Sequence, residues 1–262
     1  MKANELSAAL AGFPLGGLRF FPTIGSTNDE ALAWAAAGAP DAALVVSDEQ
    51  TAGRGRSGRK WHTPPGAALA MSLILRPTVF ERTAPGRYTG LAALAVAQHC
   101  QMLGLQAEIK WPNDVLLTGR KVAGILVESV WAGDALDAAV VGIGLNVAAA
   151  ALPPPETLAF PATSLETELG EIPHRATLIR EILASLLAWR SRIASPDFMH
   201  AWESSLAFKG QTVTVARDGE EPTVGKLLGL EPDGSLRMLG GTEAEIVHFG
   251  EIHLRPMDDR IS

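Results

Sequence analysis

The sequence contains almost no cysteine, no long apolar run and no zinc-type ligand spacing. A single cysteine, Cys100, excludes an internal disulfide framework and fits a reducing compartment. The six histidines are scattered and, beside one cysteine, give no pattern typical of a zinc site. The first residues, MKANELSAALAGFPLGG, are too short and too interrupted for a signal peptide or a membrane span. We therefore expect a cytoplasmic protein without a membrane segment.

An excess of positive charge is also absent. The 262 residues carry a formal net charge of −7, which argues against a protein that coats nucleic acid through its overall field. No fixed-period repeat is visible, which argues against a solenoid. With 47% hydrophobic residues, the chain is long enough to bury the core of one large domain or of two smaller ones.

Apolar runs and helical spacings alternate along the first 200 residues. Strands are predicted for the runs ALVVS, ALAMSLILR, AEIKW, DVLLT, KVAGILVESV and LDAAVVGIGLNV. Helices are predicted over residues 29–37, 88–103, 175–193 and 196–208. The proline-rich stretch 148–161 is predicted to be a loop. This order predicts an α+β fold, in which helices flank a mixed, largely antiparallel sheet.

The pattern changes after Lys209-Gly210. Four short strands are predicted there, QTVTVAR, TVGKLLGL, SLRML and AEIVHF, with turn signals at Asp218-Gly219 and Asp233-Gly234. Short strands over about fifty residues favour a small β-barrel. We therefore expect a main domain of residues 1–208 and a small C-terminal domain of residues 209–262.

The segment QTAGRGRSGRKW, from Gln50 to Trp61, is the most distinctive in the chain. It holds three arginines and one lysine within seven residues: Arg54, Arg56, Arg59 and Lys60. Its glycines, Gly53, Gly55 and Gly58, let the backbone turn tightly, and guanidinium groups bind phosphate or carboxylate oxygens in pairs. The segment predicts a loop for a phosphate-bearing anion, although an exposed basic surface loop fits the composition equally well.

A P-loop is excluded for this segment. Gly53 and Gly58 have the required four-residue gap, but Arg59 and Lys60 replace the Lys and Ser/Thr pair. Trp-His-Thr-Pro-Pro follows, so no helix begins there to receive a phosphate.

Four further segments could carry chemistry, and each has a plainer interpretation. Lys110-Trp111-Pro112-Asn113-Asp114 ends a strand where polar groups converge, or is an ordinary strand-ending turn. Trp111 is a candidate for the pocket floor, where it either stacks on a ligand or supports the pocket. Lys121 lies at the start of an apolar strand. Its ammonium group either reaches a carboxylate and a phosphate in a pocket or is solvated in the turn. Ser26-Thr27-Asn28 offers ligand-facing groups, or a capping box of Thr27 with Glu30. Glycines in GIGLN, before Asn146, indicate the close approach of a ligand or of another backbone.

Taken in order, STN, QTAGRGRSGRKW, KWPND, KVAGILVE and GIGLNV resemble the catalytic domain of biotin–protein ligases, also called biotin–acetyl-CoA-carboxylase ligases. The resemblance is close over residues 26–146, and the C-terminal part agrees in layout. It implies a class II synthetase-like catalytic fold with an SH3-like C-terminal barrel. It also implies that biotin and ATP, with Mg²⁺, give biotinyl-5′-AMP, and that a lysine of a biotin carboxyl carrier domain then receives the biotin.

The resemblance implies roles for residues by position. Lys121 and Arg56 are the expected catalytic groups, with Lys121 bridging the biotin carboxylate and the α-phosphate. The expected biotin-binding residues are these two with Ser26, Thr27, Asn28, Gln50, Gly53, Arg54 and Gly55. The expected nucleotide-binding residues are Arg59, Trp61, Lys110, Asn113, Asp114 and Asn146. Mg²⁺ is expected to be held mainly by the ATP phosphates, and no protein ligand is assigned to it.

Longer relatives carry an N-terminal DNA-binding domain, for which the 25 residues before Ser26 leave no room. We therefore expect a ligase that does not bind DNA, either as a monomer or as a homodimer. The alternatives are a lipoate–protein ligase or octanoyltransferase, whose distinct loop is not found, and a non-catalytic phosphate- or nucleic-acid-binding module, which the acidic balance disfavours.

Overall fold

A computed structural model describes residues 1–158, 160–217, 221–248 and 252–256. Its centre is a seven-stranded sheet in the order β1-β2-β3-β7-β6-β5-β4. The strands are β1 (Gly17–Ile24), β2 (Ala43–Gln50), β3 (Ala68–Leu75), β4 (Ala107–Lys110), β5 (Asp114–Leu117), β6 (Arg120–Ala132) and β7 (Ala135–Asn146). Only β1 and β2 pair in parallel, and the other five pairings are antiparallel. The predicted mixed, largely antiparallel sheet is thus confirmed.

Strand β1 was not predicted from the sequence. It contains Arg19 and Pro22 and shows no alternation of buried and exposed residues. Proline is tolerated there because β1 is an edge strand of the sheet. A parallel neighbour requires a crossover, and the helix between β1 and β2 provides it.

The helices lie on both faces of the sheet. They are α1 (Ala3–Ala9), α2 (Thr27–Ala36), α3 (Val79–Thr83), α4 (Arg87–Met102), α5 (Leu165–Leu169), α6 (Arg175–Arg190) and α7 (Pro196–Ser204). Helix α4 packs with α6 in the main core, to which β2 contributes Leu44 and Val46. Helix α2 covers the other face, where Val45 and Val140 pack against Ala31. Alternate residues of a strand therefore serve the two faces.

Several helix boundaries differ from the prediction. Helix α2 begins at Thr27 because the Ser26 hydroxyl caps it, accepting from the Asp29 N–H at 3.4 Å, so the proposed capping box of Thr27 with Glu30 is wrong. Helices α6 and α7 end earlier than predicted. The short helices α1, α3 and α5 were not predicted. The 148–161 loop contains two short 3₁₀ turns, Ala149–Ala151 and Pro155–Thr157.

The C-terminal part forms a five-stranded antiparallel sheet in the order β11-β10-β9-β8-β12. Its strands are β8 (Thr212–Arg217), β9 (Thr223–Leu230), β10 (Leu236–Gly240), β11 (Glu243–Val247) and β12 (Ile252–Pro256). The predicted small all-β unit is present, but the count of four strands was wrong, since β12 adds a fifth. The turn at Asp233-Gly234 joins β9 and β10, while Asp218-Gly219 lies outside the described residues.

Within the described ranges, none of the helices combines the length and the apolar character needed to cross a membrane.

Candidate active site

A cavity of about 1020 Å³ opens on the α2 face of the central sheet. Every site residue predicted from the sequence lines it: Ser26, Thr27, Asn28, Gln50, Gly53, Arg54, Gly55, Arg56, Arg59, Trp61, Lys110, Asn113, Asp114, Lys121 and Asn146. Six basic side chains and one carboxylate occur among the described residues of this lining. The cavity is therefore suited to an anionic ligand.

Two glycines in β7 let protein side chains approach the sheet closely. A Cβ atom added at Gly142 would lie 2.2 Å from the Oδ1 atom of Asn28, and one at Gly144 would lie 2.4 Å from the indole of Trp61. The sequence had indicated the approach of a ligand or of another backbone. Instead, the chain's own Asn28 and Trp61 occupy these places, and both side chains line the cavity.

A polar cluster of four side chains, Thr27, Asn28, Gln50 and Ser72, lies at one end of the cavity. The Oε1 atom of Gln50 accepts hydrogen bonds from the backbone N–H of Thr27 at 2.8 Å and from its hydroxyl at 3.1 Å. Ser72 Oγ lies 2.8 Å from Thr27 Oγ1 and 2.6 Å from Asn28 Oδ1. Ser72 is fully buried and was not predicted from the sequence. The alternation of residues along the strand could have identified it, because Ser72 pairs with Gly142 and so faces the cavity side of the sheet.

The segment 53–61 folds into a small hairpin, here called the arginine hairpin. Trp61 N–H donates to the Gly53 carbonyl at 2.9 Å, and Gly55 N–H donates to the Arg59 carbonyl at 2.7 Å. Its turn requires positive φ, which Gly58 adopts readily at 69°. The predicted tight Arg/Gly loop is therefore present, and its residues line the cavity.

Two arginines hold the arginine hairpin across the cavity. At the polar-cluster end, the Arg54 guanidinium donates to Glu128 at 2.8 and 3.0 Å and to Asp29 at 2.6 Å. At the opposite end, Arg56 donates to the Asn113 side-chain oxygen at 3.1 Å. The hairpin therefore spans the space between the two ends of the cavity.

A buried carboxylate organises the second end. Lys121 Nζ lies 2.5 Å from Asp114 Oδ1, and Lys110 Nζ lies 3.6 Å from Asp114 Oδ2. Burial by itself would raise the pKa of Asp114, but the ammonium groups of Lys121 and Lys110 outweigh it and lower that pKa below its ordinary value. Lys121 also lies 5.5 Å from the centroid of the Trp61 ring. The ammonium group of Lys121 is thus fixed at the cavity floor.

The proline-rich segment after β7 forms the wall beside Lys121. Lys121 N–H donates to the Pro161 carbonyl at 2.8 Å, and its carbonyl accepts from Thr163 N–H at 2.9 Å. The Asn146 side-chain amide donates to the Thr163 carbonyl at 3.1 Å. Phe160 faces Lys110 Nζ, which lies 4.6 Å from its ring centroid. This segment was predicted only as a plain loop, because prolines signal irregular backbone without indicating what the loop covers.

Trp111 supports the site and is not exposed to the cavity. Its side chain is 1% exposed, and its indole N–H donates to the Gly234 carbonyl at 3.0 Å. Arg87, at the start of α4, donates to the neighbouring Pro232 carbonyl at 2.8 Å. Of the two roles left open for Trp111, support is therefore the correct one, and the β9–β10 turn packs beneath the KWPND segment.

A protein-only metal site does not fit the side chains present. Among the residues that the structure describes, no group of three or more His, Cys, Asp or Glu side chains could hold a metal ion. In the described lining, Asp114 is the one carboxylate, and it is already paired with Lys121.

Comparisons with known proteins show which sequences and structures this chain resembles. The profile of the Biotin/lipoate A/B protein ligase family matches residues 20–146. The chain is 37% identical over 246 residues to the bifunctional ligase/repressor BirA of Bacillus subtilis, covering 90% of this chain and 74% of that protein. It is 35% identical over 240 residues to the biotin–[acetyl-CoA-carboxylase] ligase of Paracoccus denitrificans, covering 87% and 96% respectively. A biotin protein ligase from Aquifex aeolicus, solved in complex with biotin and ATP, superposes with a TM-score of 0.79 at 28% identity, over 92% of this chain and 99% of that one.

Proposed function

This chain belongs to the biotin/lipoate A/B protein ligase family, and we propose from that membership how its cavity activates biotin and transfers it. The activity is ATP-dependent ligation of biotin to a protein. The single observation that carries the site assignment is the placement of Lys121 beside the buried Asp114, at the floor of a cavity lined by six basic side chains.

The first half-reaction joins two anions. An oxygen of the biotin carboxylate attacks the α-phosphorus of ATP, the bond to the β-phosphate oxygen breaks, and pyrophosphate leaves with its electron pair. Cationic side chains must offset the repulsion and the charge that develops on the α-phosphoryl oxygens. We assign this role to Lys121, whose Nζ is held by Asp114, and to Arg56, which is held by Asn113.

In the second half-reaction, a neutral lysine amine of the acceptor attacks the acyl carbon of biotinyl-5′-AMP. The bond to the phosphate oxygen breaks, AMP leaves, and the amine proton is released to solvent. A carrier domain of a biotin-dependent carboxylase is the proposed acceptor, which the relatives named biotin–[acetyl-CoA-carboxylase] ligase support. A mixed anhydride is sensitive to water, so the arginine hairpin is assigned the role of a cover.

We assign the polar cluster to the ureido ring of biotin. A neutral ring with two N–H donors and one carbonyl requires matched acceptors and donors, without net charge. Thr27, Asn28 and Gln50 are buried or half-buried, and they are held in place by hydrogen bonds among themselves and to Ser72. Ser26, Gly53, Arg54 and Gly55 complete this end of the lining.

The opposite end is assigned to the nucleotide. The proposed nucleotide contacts are lining residues of the cavity: Arg59, Trp61, Lys110, Asn113, Asp114 and Asn146. Mg²⁺ is proposed to bind through the triphosphate oxygens, which fits a lining with one paired carboxylate. When bound, it supplies charge neutralisation for the phosphates and the departing pyrophosphate.

Three further proposals concern the location of the enzyme, its division into domains and its binding to DNA. We propose a cytoplasmic enzyme in which residues 1–208 form the catalytic domain and residues 209–262 the small β-domain, and the two separate sheets support this division. We also propose that the chain does not bind DNA, for which the net charge of −7 is the support. An electrophoretic shift on biotin-operon DNA at moderate salt would contradict this proposal.

Lipoate is the competing substrate, because the family profile spans biotin and lipoate ligases. Biotin offers a ureido ring to the polar cluster, whereas lipoate offers a dithiolane without matching donors. We expect biotin to support ATP–pyrophosphate exchange and lipoate, at equal concentration, neither to support it nor to inhibit the reaction with biotin. Exchange that proceeds with lipoate alone would overturn the assignment of substrate.

A further inference from the structure

Glu128 contacts both Asn28 and Arg54, but no role in the site has yet been assigned to it. It lies on β6 opposite Val140 and on the same face as Gly124 and Leu126, which line the cavity. Alternation along a strand therefore places the Glu128 side chain at the rim of the cavity, beyond Leu126. Its side chain is 25% exposed, so it is partly shielded from water.

The two oxygens of this carboxylate connect two separate parts of the site. Oε2 accepts from the Asn28 side-chain amide at 2.8 Å and from Arg54 at 2.8 Å, while Oε1 accepts from Arg54 at 3.0 Å. Asn28 also donates to the Leu126 carbonyl at 3.2 Å, so its amide is held against β6. One carboxylate thus joins the polar cluster, through Asn28, to the arginine hairpin, through Arg54.

This pair differs from an ordinary surface ion pair of similar exposure. Arg19 and Glu30 form such a pair at 2.6 Å, with Glu30 on helix α2 and the two side chains 41% and 26% exposed. Among the described contacts, the Glu30 carboxylate bonds to no buried side chain of the cavity. The carboxylate of Glu128, in contrast, is oriented by Asn28, whose side chain is 4% exposed. Hydrogen bonding to Glu128 also raises the pKa of Arg54, in keeping with a cation stabilised by that carboxylate.

We propose that Glu128 is a positioning residue that couples the polar cluster to closure of the arginine hairpin. When a biotin ring orders Asn28, it also orders Glu128, and Glu128 then holds the arginine hairpin closed through Arg54. The proposal rests on the biotin ligase function argued above. Asp29 assists from α2, at 2.6 Å from Arg54, but it makes no contact with the polar cluster among the described contacts. Glu128 touches neither reacting atom, and it acts through Asn28 and Arg54.

The test compares Glu128→Gln with Glu30→Gln in the full chain. In Glu128→Gln the amide oxygen of the new side chain can still accept from Asn28, but the ion pair with Arg54 is lost. We expect the KM for biotin in ATP–pyrophosphate exchange to rise about fivefold, as for the loss of a pair worth about 1 kcal/mol. The KM for ATP should stay unchanged. Glu30→Gln should leave both constants at the wild-type values.

Limited trypsin digestion reports hairpin closure directly, because Arg54, Arg56, Arg59 and Lys60 are cleavage sites. In the wild type, biotin should slow cleavage within residues 54–60, and in Glu128→Gln this protection should be largely lost while cleavage elsewhere is unchanged. A folding defect would instead increase cleavage throughout the chain. Protection by biotin that equals the wild type in Glu128→Gln would overturn the proposal.

A double-mutant cycle with Arg54→Gln tests whether Glu128 acts through Arg54. The KM for biotin of the double variant should be no higher than that of Arg54→Gln alone, because both proteins lack the same ion pair between Glu128 and Arg54. Additive effects would overturn the coupling even if each single variant loses activity. Wild-type protein that shows no biotin-dependent exchange would instead refute the proposed function, so the two failures are distinguishable.

Discussion

The Nζ atom of Lys121 lies 2.5 Å from the Oδ1 atom of Asp114, and the carboxylate of that pair is buried. Asp114 begins β5 and Lys121 lies near the start of β6, so a tight hairpin brings them together across seven positions of sequence. Lys110 approaches the same carboxylate from β4. Three strand ends thereby fix one ammonium group at the floor of the cavity, where the proposed reaction requires a positive charge.

The Asp114 carboxylate should make stability depend on pH only in strong acid. Its folded-state pKa is lowered, because Lys121 and Lys110 outweigh the effect of burial. A lowered pKa gives stability that is present above the unfolded pKa, which is near 3.8, and lost as the pH falls through the folded-state pKa. In urea unfolding at about pH 6, Asp114→Asn should lower the free energy of unfolding by about 3 kcal/mol, since two ammonium groups lose a buried partner.

Below a pH of about 3.8 the difference between Asp114→Asn and the wild type should shrink, because the wild type loses the same charge. Asp137→Asn is the control, since Asp137 pairs with Arg76 at a half-exposed position and should cost under about 1 kcal/mol. A difference for Asp114→Asn that persists unchanged at about pH 2 would contradict the assignment of the effect to this charge.

Ser72 should determine biotin affinity although it is the fully buried member of the polar cluster. Ser72→Ala removes the hydroxyl that holds Asn28 and Thr27, so we expect the KM for biotin to rise about fivefold and the KM for ATP to stay constant. Steady-state exchange kinetics measure both constants. Ser185→Ala, which removes a hydroxyl bonded to Gln98 away from the cavity, is the matched control. Equal biotin constants in the wild type and Ser72→Ala would exclude this role for Ser72.

A methyl group at Gly142 should displace Asn28. The added Cβ would lie 2.2 Å from Asn28 Oδ1, which is too close without movement of the amide. Overpacking of this kind costs about 1 to 3 kcal/mol, so Gly142→Ala should weaken biotin binding about tenfold or more in calorimetric titration. At Gly25 an added Cβ would meet no atom within 4 Å, and Gly25→Ala should bind biotin like the wild type. Unchanged binding by Gly142→Ala would show that Asn28 does not contact biotin.

Trp111 should link the β9–β10 turn to the KWPND segment. Trp111→Phe leaves the Gly234 carbonyl without the indole donor, so the free energy of unfolding should fall by about 1 to 2 kcal/mol. Activity at saturating biotin and ATP should fall as well, because Lys110 and Asp114 flank this support in sequence. The exposed Trp131 provides the control, since Trp131→Phe should alter neither quantity. Loss of stability without any loss of activity would limit Trp111 to a packing role.

The sequence was sufficient to predict most of the central sheet, because β3, β6 and β7 are long apolar runs. The positions of Lys121, Arg56 and Gln50 in one cavity also agree with the prediction from the ordered motifs. Strand β1 was missed because its pairing is parallel and comes from a distant crossover, which local periodicity does not report.

The site residues that were missed act through contacts between distant strands. Ser72 lies in an apolar run, and Glu128 lies in a segment that was singled out for Lys121, so neither stood out by composition. Their roles follow from the register of β3, β6 and β7, which places them beside Asn28. The capping interpretation of Thr27 was wrong because Ser26 is an equally good cap one residue earlier.

The most direct test of the proposed mechanism is biotin-dependent exchange of labelled pyrophosphate into ATP, without acceptor protein, in the wild type and in Lys121→Ala. We expect exchange that requires biotin in the wild type and falls about a hundredfold or more in Lys121→Ala, as for the loss of a group that stabilises developing charge. Lys226→Ala, which changes an exposed lysine of β9, should exchange like the wild type. Exchange at the wild-type rate in folded Lys121→Ala would contradict the assignment of the adenylation centre to the Lys121–Asp114 pair.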